Sequence, residues 1–122
     1  MRIDQHGDLR VLSLDTDGPP IATPADGAQL VGDAWAHDAQ MVVVPASRLD
    51  PEFFRLRSGL AGEILQKLVN YRIRLVVLGD IAAYVDASDA LRDLVRESNE
   101  GSQAWFVPDE DALAARLSSA IR

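Results

Sequence analysis

The segment 41–80 decides the fold, and its sequence is MVVVPASRLDPEFFRLRSGLAGEILQKLVNYRIRLVVLGD. It begins and ends with apolar runs, at 41–44 and 75–78, and such runs are typical of strands buried on both faces. Between them, residues 59–71 carry apolar side chains at helical spacing, which predicts an amphipathic helix. The side chains predicted to face the core are Leu60, Ile64, Leu65, Leu68 and Tyr71. A strand, a helix and a second strand in this order predict two parallel strands joined by a right-handed crossover.

The sequence before this segment predicts a β-hairpin and then a helix. Residues 10–14 have the composition of a strand, a short stretch around Ile3 suits its partner, and residues 6–8 suit the turn. After a loop rich in Asp, Gly and Pro, Thr23 and Asp26 have the spacing of a reciprocal helix cap. The residues predicted to share the apolar face of this helix are Leu30, Val31, Ala34 and Trp35.

The sequence after the segment predicts two more helices and a strand. Ser88 or Asp89 begins a helix that ends near Asn99, residues 105–107 form a strand, and Asp109 begins the last helix. The residues predicted to face inward from these helices are Leu91, Leu94, Val95, Leu113, Leu117 and Ile121.

Taken together, these elements predict one α/β domain over residues 1–122. Its mixed, mostly parallel sheet has about five strands, is packed with about four helices and begins with an N-terminal β-hairpin. A chain of 122 residues fits a single domain. Phe53 and Phe54 are expected to lie under the core.

Composition narrows the classes of function. The net charge of −7 disfavours nucleic-acid binding, because an acidic surface repels phosphate backbones. The absence of cysteine excludes disulfides, thiolate metal sites and a cysteine nucleophile. The apolar runs are too short to cross a bilayer and residues 1–5 do not open a signal peptide, so we expect a cytoplasmic protein without membrane association. His6 and His37 are isolated and no phosphate-cradling glycine loop occurs, so no metal or cofactor is expected.

Residues 56–67, LRSGLAGEILQK, resemble a family of small bacterial proteins known as domain-of-unknown-function family 4180. The resemblance continues at 69–71, 79–80 and 97–99, so it extends over most of the chain. It implies no established activity.

The central segment is also similar to the middle of a STAS domain, the fold of bacterial anti-sigma-factor antagonists. Those domains have an apolar strand, a Ser-Gly-Leu turn into a helix, and a second apolar strand that ends near glycine. The corresponding turn here is Ser58-Gly59-Leu60. The resemblance implies a STAS-like fold and a partner-switching role in which Ser58 is the phosphoacceptor. Leu56 and Arg57 stand where the antagonists usually carry an acidic residue and another small hydroxyl residue.

Ser58 is the main candidate for a functional side chain. Its oxygen could accept a hydrogen bond from a free backbone N–H of the central helix, so it suits a structural N-cap. The same N–H groups and the helix dipole favour an anion or a covalent phosphate, with which Arg57 could pair. Two interpretations therefore stay open: a cap, or a phosphoacceptor or anion site formed by Arg57, Ser58 and Gly59.

The polar face of the central helix is the second candidate. Glu63 and Lys67 have the spacing of a surface ion pair, and this face is either simply solvated or a partner-binding surface. The residues of the candidate partner-binding face are Glu63, Gln66, Lys67 and Asn70.

Acidic residues that follow predicted strands are the third candidate. They are Asp15, Asp17, Asp50, Asp80 and Asp109. Ligands of open α/β sheets bind beyond the carboxyl ends of strands, where clustered carboxylates could hold Mg²⁺ or act as a phosphoacceptor. A hydrolase or transferase that uses these acidic loops is a further possibility. Each aspartate is also explained as a turn or cap residue, which is the favoured interpretation.

No set of residues able to run a reaction stands out, so we expect a non-enzymatic regulatory domain. It is predicted to bind a protein partner, with partner switching gated at Ser58. The alternative is a sensor that binds a nucleotide, another small ligand or an anion at Arg57, Ser58 and Gly59. A homodimer is left open by the sequence.

Overall fold

Five strands form one mixed sheet in the computed structural model, which describes residues 1–120. The strands are β1 (Arg2–His6), β2 (Leu9–Ser13), β3 (Met41–Pro45), β4 (Arg74–Leu78) and β5 (Ala104–Val107). They lie in the order β1-β2-β3-β4-β5, with β1 antiparallel to β2 and every other pair parallel. The predicted mixed sheet and the N-terminal hairpin are thus confirmed.

Within residues 1–120, six α-helices accompany the sheet, where the sequence predicts about four. They are α1 (Pro24–Ala36), α2 (Pro51–Phe54), α3 (Leu60–Asn70), α4 (Ala82–Asp86), α5 (Asp89–Glu100) and α6 (Glu110–Ala120). The two additional helices are α2 and α4, which are too short to produce a periodic apolar pattern. Two 3₁₀ turns, Ala46–Arg48 and Leu56–Ser58, lie on either side of α2. No helix of residues 1–120 is both long and apolar enough to cross a membrane.

The reciprocal cap predicted for α1 is present. The hydroxyl of Thr23 accepts a hydrogen bond from the N–H of Asp26, and the carboxylate of Asp26 accepts one from the N–H of Thr23. The carboxylate of Asp26 also accepts from the N–H of Ala22. This bond is the largest cause of a pKa of Asp26 below its ordinary value, and the bonds to Thr23 lower the pKa further. The start of α1 is therefore determined by residues next to it in the chain.

The predicted starts of the last two long helices are also confirmed. The Ser88 hydroxyl accepts from the N–H of Leu91 at 3.1 Å, so Ser88 rather than Asp89 caps α5. The Asp109 carboxylate accepts from the N–H of Ala112 at 2.8 Å at the start of α6.

The sheet is buried on both faces, in two separate cores. Val42 and Val44 of β3 point into the larger core, which contains side chains of α1, α3 and α5. Met41 and Val43 point to the opposite face, where Leu113 and the rest of the apolar side of α6 cover the sheet. Because successive side chains of a strand point to opposite faces, a continuous apolar run is needed to fill both cores.

Most core predictions are confirmed, and two aromatic side chains are exceptions. Phe53 and Phe54 are buried, as expected. Tyr71 was predicted to face the core but is 53% exposed, because it is the C-cap of α3, where the chain leaves the helical repeat. Trp35 was predicted on the apolar face of α1 but is 63% exposed and packs edge-on against Tyr71 instead. Ile121 lies outside the described residues.

A side chain closes the free edge of the sheet at β5. Asn99 of α5 accepts from the N–H of Phe106 at 2.8 Å and donates to the carbonyl of Phe106 at 3.2 Å. These two main-chain groups point away from β4, so Asn99 takes the place of a sixth strand at that residue.

Candidate functional site

The chain approaches α3 through a tight turn that a glycine makes possible. The 3₁₀ turn ends at Ser58, and Gly59 follows with φ of 79° and ψ of −7°. This left-handed conformation is readily adopted only by glycine. Gly59 is therefore the N-cap residue of α3, and the prediction that Ser58 occupies the N-cap position is wrong by one residue.

The Ser58 hydroxyl nevertheless makes two hydrogen bonds at the start of α3. It accepts from the N–H of Leu60 at 3.2 Å and donates to the carbonyl of Glu52 at 2.7 Å. The first bond satisfies an N–H group of the helix start, and the second connects α3 to α2. Ser58 itself is exposed, so a modifying enzyme could reach it.

Arg57 is exposed and faces a groove beside the start of α5. The groove is lined by residues of α2, the following 3₁₀ turn, α4 and the start of α5, including Phe54, Tyr84 and Ser88. Ser58 and Gly59 are not among its lining residues. Of the three residues of the candidate anion site, Arg57 alone lines this groove.

The predicted partner-binding face of α3 is largely solvent-exposed. Glu63, Gln66 and Asn70 are exposed, Lys67 is half-buried, and Gln66 donates to the Asn70 side chain at 2.8 Å. The predicted Glu63–Lys67 ion pair is absent from the described residues, where no carboxylate lies within 4 Å of Lys67.

Gly62 lies on this exposed side of α3 and has no role in the packing of the described residues. A Cβ atom at Gly62 would meet nothing within 4 Å, and its φ is not in the left-handed region. Glycine inside a helix costs about 1 kcal/mol relative to alanine. The fold would therefore accept alanine at this position.

A cleft of about 670 Å³ opens at the carboxyl ends of β2, β3 and β4. Two of the five candidate aspartates, Asp15 and Asp80, line it, together with Glu110 and Tyr84, which the sequence did not single out. The signal that pointed to this region was the rule that ligands of parallel sheets bind beyond the carboxyl ends of the strands.

The carboxylates of these aspartates are engaged in local bonds. Asp80 accepts from the N–H of Ala82, while Asp50 and Asp109 accept at the starts of α2 and α6. Asp15 accepts from the amino group of Met1 at 2.8 Å, and this bond holds the pKa of its carboxyl below the ordinary value. The turn or cap interpretation is confirmed for Asp50, Asp80 and Asp109. Within residues 1–120, no three His, Asp or Glu side chains are grouped so that they could hold a metal ion.

Comparison with known proteins identifies one family. The family model described as "Domain of unknown function (DUF4180)" matches residues 6–117, which include every strand from β2 onward and all the long helices except the last three residues of α6. No curated protein matches the chain. The match extends over far more than half of the sequence, so the chain belongs to the DUF4180 family.

Proposed function

We propose that this chain is a non-enzymatic, STAS-like regulatory domain that binds a protein partner on the exposed side of α3. The observation that carries the proposal is Gly62, a helix residue for which the described chain offers no structural reason. A partner whose backbone approaches α3 closely would explain the glycine, because a side chain at this position would hold the two backbones apart.

The residues around Gly62 fit a protein-binding surface. Gln66 and Asn70 follow Gly62 at intervals of four residues, and this spacing places all three on one side of the helix. Their amide groups are solvent-exposed and can exchange their mutual hydrogen bond for bonds to a partner. Ser58 lies just before the N-terminal end of the same helix.

Phosphorylation of Ser58 would alter this surface in two ways. The phosphoryl group would replace the hydroxyl proton, so the bond to the Glu52 carbonyl would be lost and the connection between α2 and α3 weakened. It would also add a charge of about −1.5 to −2 at the start of α3. A partner that binds the unmodified surface would then be released, which is partner switching gated at Ser58.

A quantitative pull-down from the native cell tests this proposal. We expect Gly62→Leu and Ser58→Asp each to reduce recovery of the specific partner about tenfold, while Ser58→Ala retains most of it. A tenfold change corresponds to about 1.4 kcal/mol of binding free energy. The readout is mass spectrometry of recovered proteins, with intact-mass analysis of the chain to detect phosphate.

Gly32→Leu is the matched control. Gly32 is also an exposed helix glycine whose Cβ would meet nothing within 4 Å, but it belongs to α1. Equal recovery with Gly62→Leu and wild type would contradict docking on α3. Equal recovery with Ser58→Asp, Ser58→Ala and wild type would remove Ser58 from the mechanism.

A small-ligand sensor is the second candidate function, and the cleft at the carboxyl ends of the strands favours it. Its volume lies in the range of about 300–1,000 Å³ that is usual for ligand pockets. At the alternative position beside Arg57, the N–H groups of Gly59 and Leu60 already bond to Leu56 and Ser58. The cleft is therefore the better location for a ligand.

A thermal-shift panel of nucleotides, sugars, amino acids and amines tests the sensor. A ligand at one hundred times its dissociation constant should stabilise the protein by about 2.7 kcal/mol and raise Tm by several degrees. Asp80→Asn should reduce the shift while preserving the bond to the Ala82 N–H, because an amide oxygen accepts as well. No shift at millimolar ligand would contradict the sensor.

A further inference from the structure

An exposed aromatic pair lies at the end of α3 opposite to Ser58. The rings of Trp35 and Tyr71 meet edge-to-face, with centroids 5.8 Å apart and planes at 88°. Trp35 is 63% exposed, whereas the other tryptophan, Trp105, is 4% exposed. Clustered exposed aromatic side chains, unlike scattered apolar ones, mark interaction surfaces.

The next residue, Arg72, adopts a conformation that arginine disfavours. Its φ is 58°, and the N–H of Arg72 bonds to the Val69 carbonyl while the N–H of Ile73 bonds to the Leu68 carbonyl. This is the glycine-favouring Schellman termination of a helix. Asp38 occupies the equivalent position after α1, but aspartate tolerates the left-handed region better than arginine does.

Local packing does not explain the arginine at this position. Arg72 is exposed, and no carboxylate of the described residues lies within 4 Å of it. Glycine would adopt this backbone conformation at lower cost, which indicates a function for the guanidinium group of Arg72.

Lys67 adds a second positive charge next to the aromatic pair. It precedes Tyr71 by one helical turn, since the N–H of Tyr71 bonds to the Lys67 carbonyl. It too has no carboxylate within 4 Å among the described residues. Two positive charges without a carboxylate within 4 Å thus lie at the same end of α3 as the two exposed rings.

We propose that Trp35, Lys67, Tyr71 and Arg72 form an aromatic–cationic patch that docks an acidic segment of a partner protein. An apolar or aromatic side chain of that segment packs against the rings, and its carboxylates pair with Lys67 and Arg72. Asp38 follows α1, and its N–H bonds to the Trp35 carbonyl, so it repels carboxylates on that side and directs them toward α3.

An acidic peptide fits this patch better than a nucleic acid does. Two cations neutralise few phosphates, and the acidic remainder of the chain repels a phosphate backbone. The patch and the Ser58 surface lie at opposite ends of α3, so the proposal does not depend on the role of Ser58.

A random twelve-residue peptide library displayed on phage, selected against the full chain, tests the patch. We expect the enriched peptides to combine several Asp or Glu residues with an aromatic or Leu residue. When synthesised with a fluorescent label, they should bind at least tenfold more weakly to Trp35→Ala and Lys67→Glu. Binding should also shift the fluorescence of Trp35, which is the exposed tryptophan.

Arg72→Gly separates binding from stability. Glycine relieves the strained backbone, so Tm should rise by about 4 °C while the affinity for the selected peptides falls at least fivefold. Arg92→Glu, an exposed charge change on α5, is the matched control for Lys67→Glu and should leave binding unchanged. Ser58→Asp and Gly62→Leu should also leave it unchanged.

Four results of the selection and binding measurements would overturn the proposal. The first two are no enrichment of any peptide and enriched peptides without acidic residues. The other two are equal binding of the peptides to wild type and the patch variants, and tighter binding of a twelve-nucleotide oligothymidylate than of the peptides. Self-association by analytical ultracentrifugation that Lys67→Glu abolishes would instead assign the patch to a second copy of the chain, and would overturn it as well.

Discussion

Gly27→Leu should lower the free energy of unfolding by about 3 kcal/mol or more. Gly27 is a buried residue of α1, and a Cβ there would lie 3.0 Å from Cγ1 of Ile64 in α3 and 3.5 Å from its Cα. Ile64 is fully buried and cannot move aside without disturbing the larger core. Overpacking of such a core costs about 1–3 kcal/mol, and leucine adds three carbons beyond the Cβ.

Urea unfolding of Gly27→Leu, Gly27→Ala and wild type measures the effect through the change in midpoint. Alanine gains about 1 kcal/mol in helix propensity, which offsets part of its clash, so its loss should be smaller. Gly32→Ala and Gly62→Ala are matched controls and should stabilise the protein by up to about 1 kcal/mol, because their Cβ atoms meet nothing. A Gly27→Leu variant as stable as wild type would show that α1 and α3 are packed less tightly than described.

Asn99→Ala should lower the free energy of unfolding by about 2–4 kcal/mol. The change removes both hydrogen bonds to Phe106 and leaves its N–H and carbonyl unpaired at the edge of the sheet. Phe106 is 6% exposed, so water reaches these groups poorly, and each unpaired buried group costs about 1–3 kcal/mol. Asn99→Asp should also destabilise the protein, because one carboxylate oxygen can still accept from the N–H of Phe106 but the other would face the carbonyl of Phe106 with no hydrogen to donate.

Amide hydrogen exchange gives a local readout for the Asn99 variants. Exchange of the Phe106 N–H should accelerate strongly in Asn99→Ala. Exchange of the β3 amides should accelerate only to the extent that the free energy of global unfolding falls. Glu100→Ala, an exposed change next to Asn99 in α5, controls for altered helix propensity. Unchanged protection of Phe106 in Asn99→Ala would contradict the edge-closing role.

Local sequence patterns were sufficient for much of the fold. The strands around Val42 and Val76 and the caps at Thr23 and Ser88 are confirmed, because each depends on residues a few positions away. The resemblance to family 4180 is confirmed as well. The STAS-like role of Ser58 remains a prediction that the proposed pull-down addresses.

The candidate site was foreseen only in part. Ser58 does lie at the start of α3 and does accept a helix N–H, but the left-handed conformation of Gly59 moves the cap by one residue. Helical spacing did predict the exposed side of α3. It could not show that Gly62 has no packing neighbour, since that depends on which elements surround the helix.

The sequence by itself determined the α/β alternation, the helix starts and the burial of β3 and β4, because these follow from apolar periodicity and from bonds between near neighbours. Tertiary structure alone decided which side chains from distant segments meet. Asn99 bonds to the main chain of Phe106 because β5 is an edge strand. Asp80 and Glu110 line the same cleft although they follow different strands. Trp35 meets Tyr71 because the C-terminal ends of α1 and α3 lie side by side. Such contacts depend on strand order and helix packing, which local patterns do not encode.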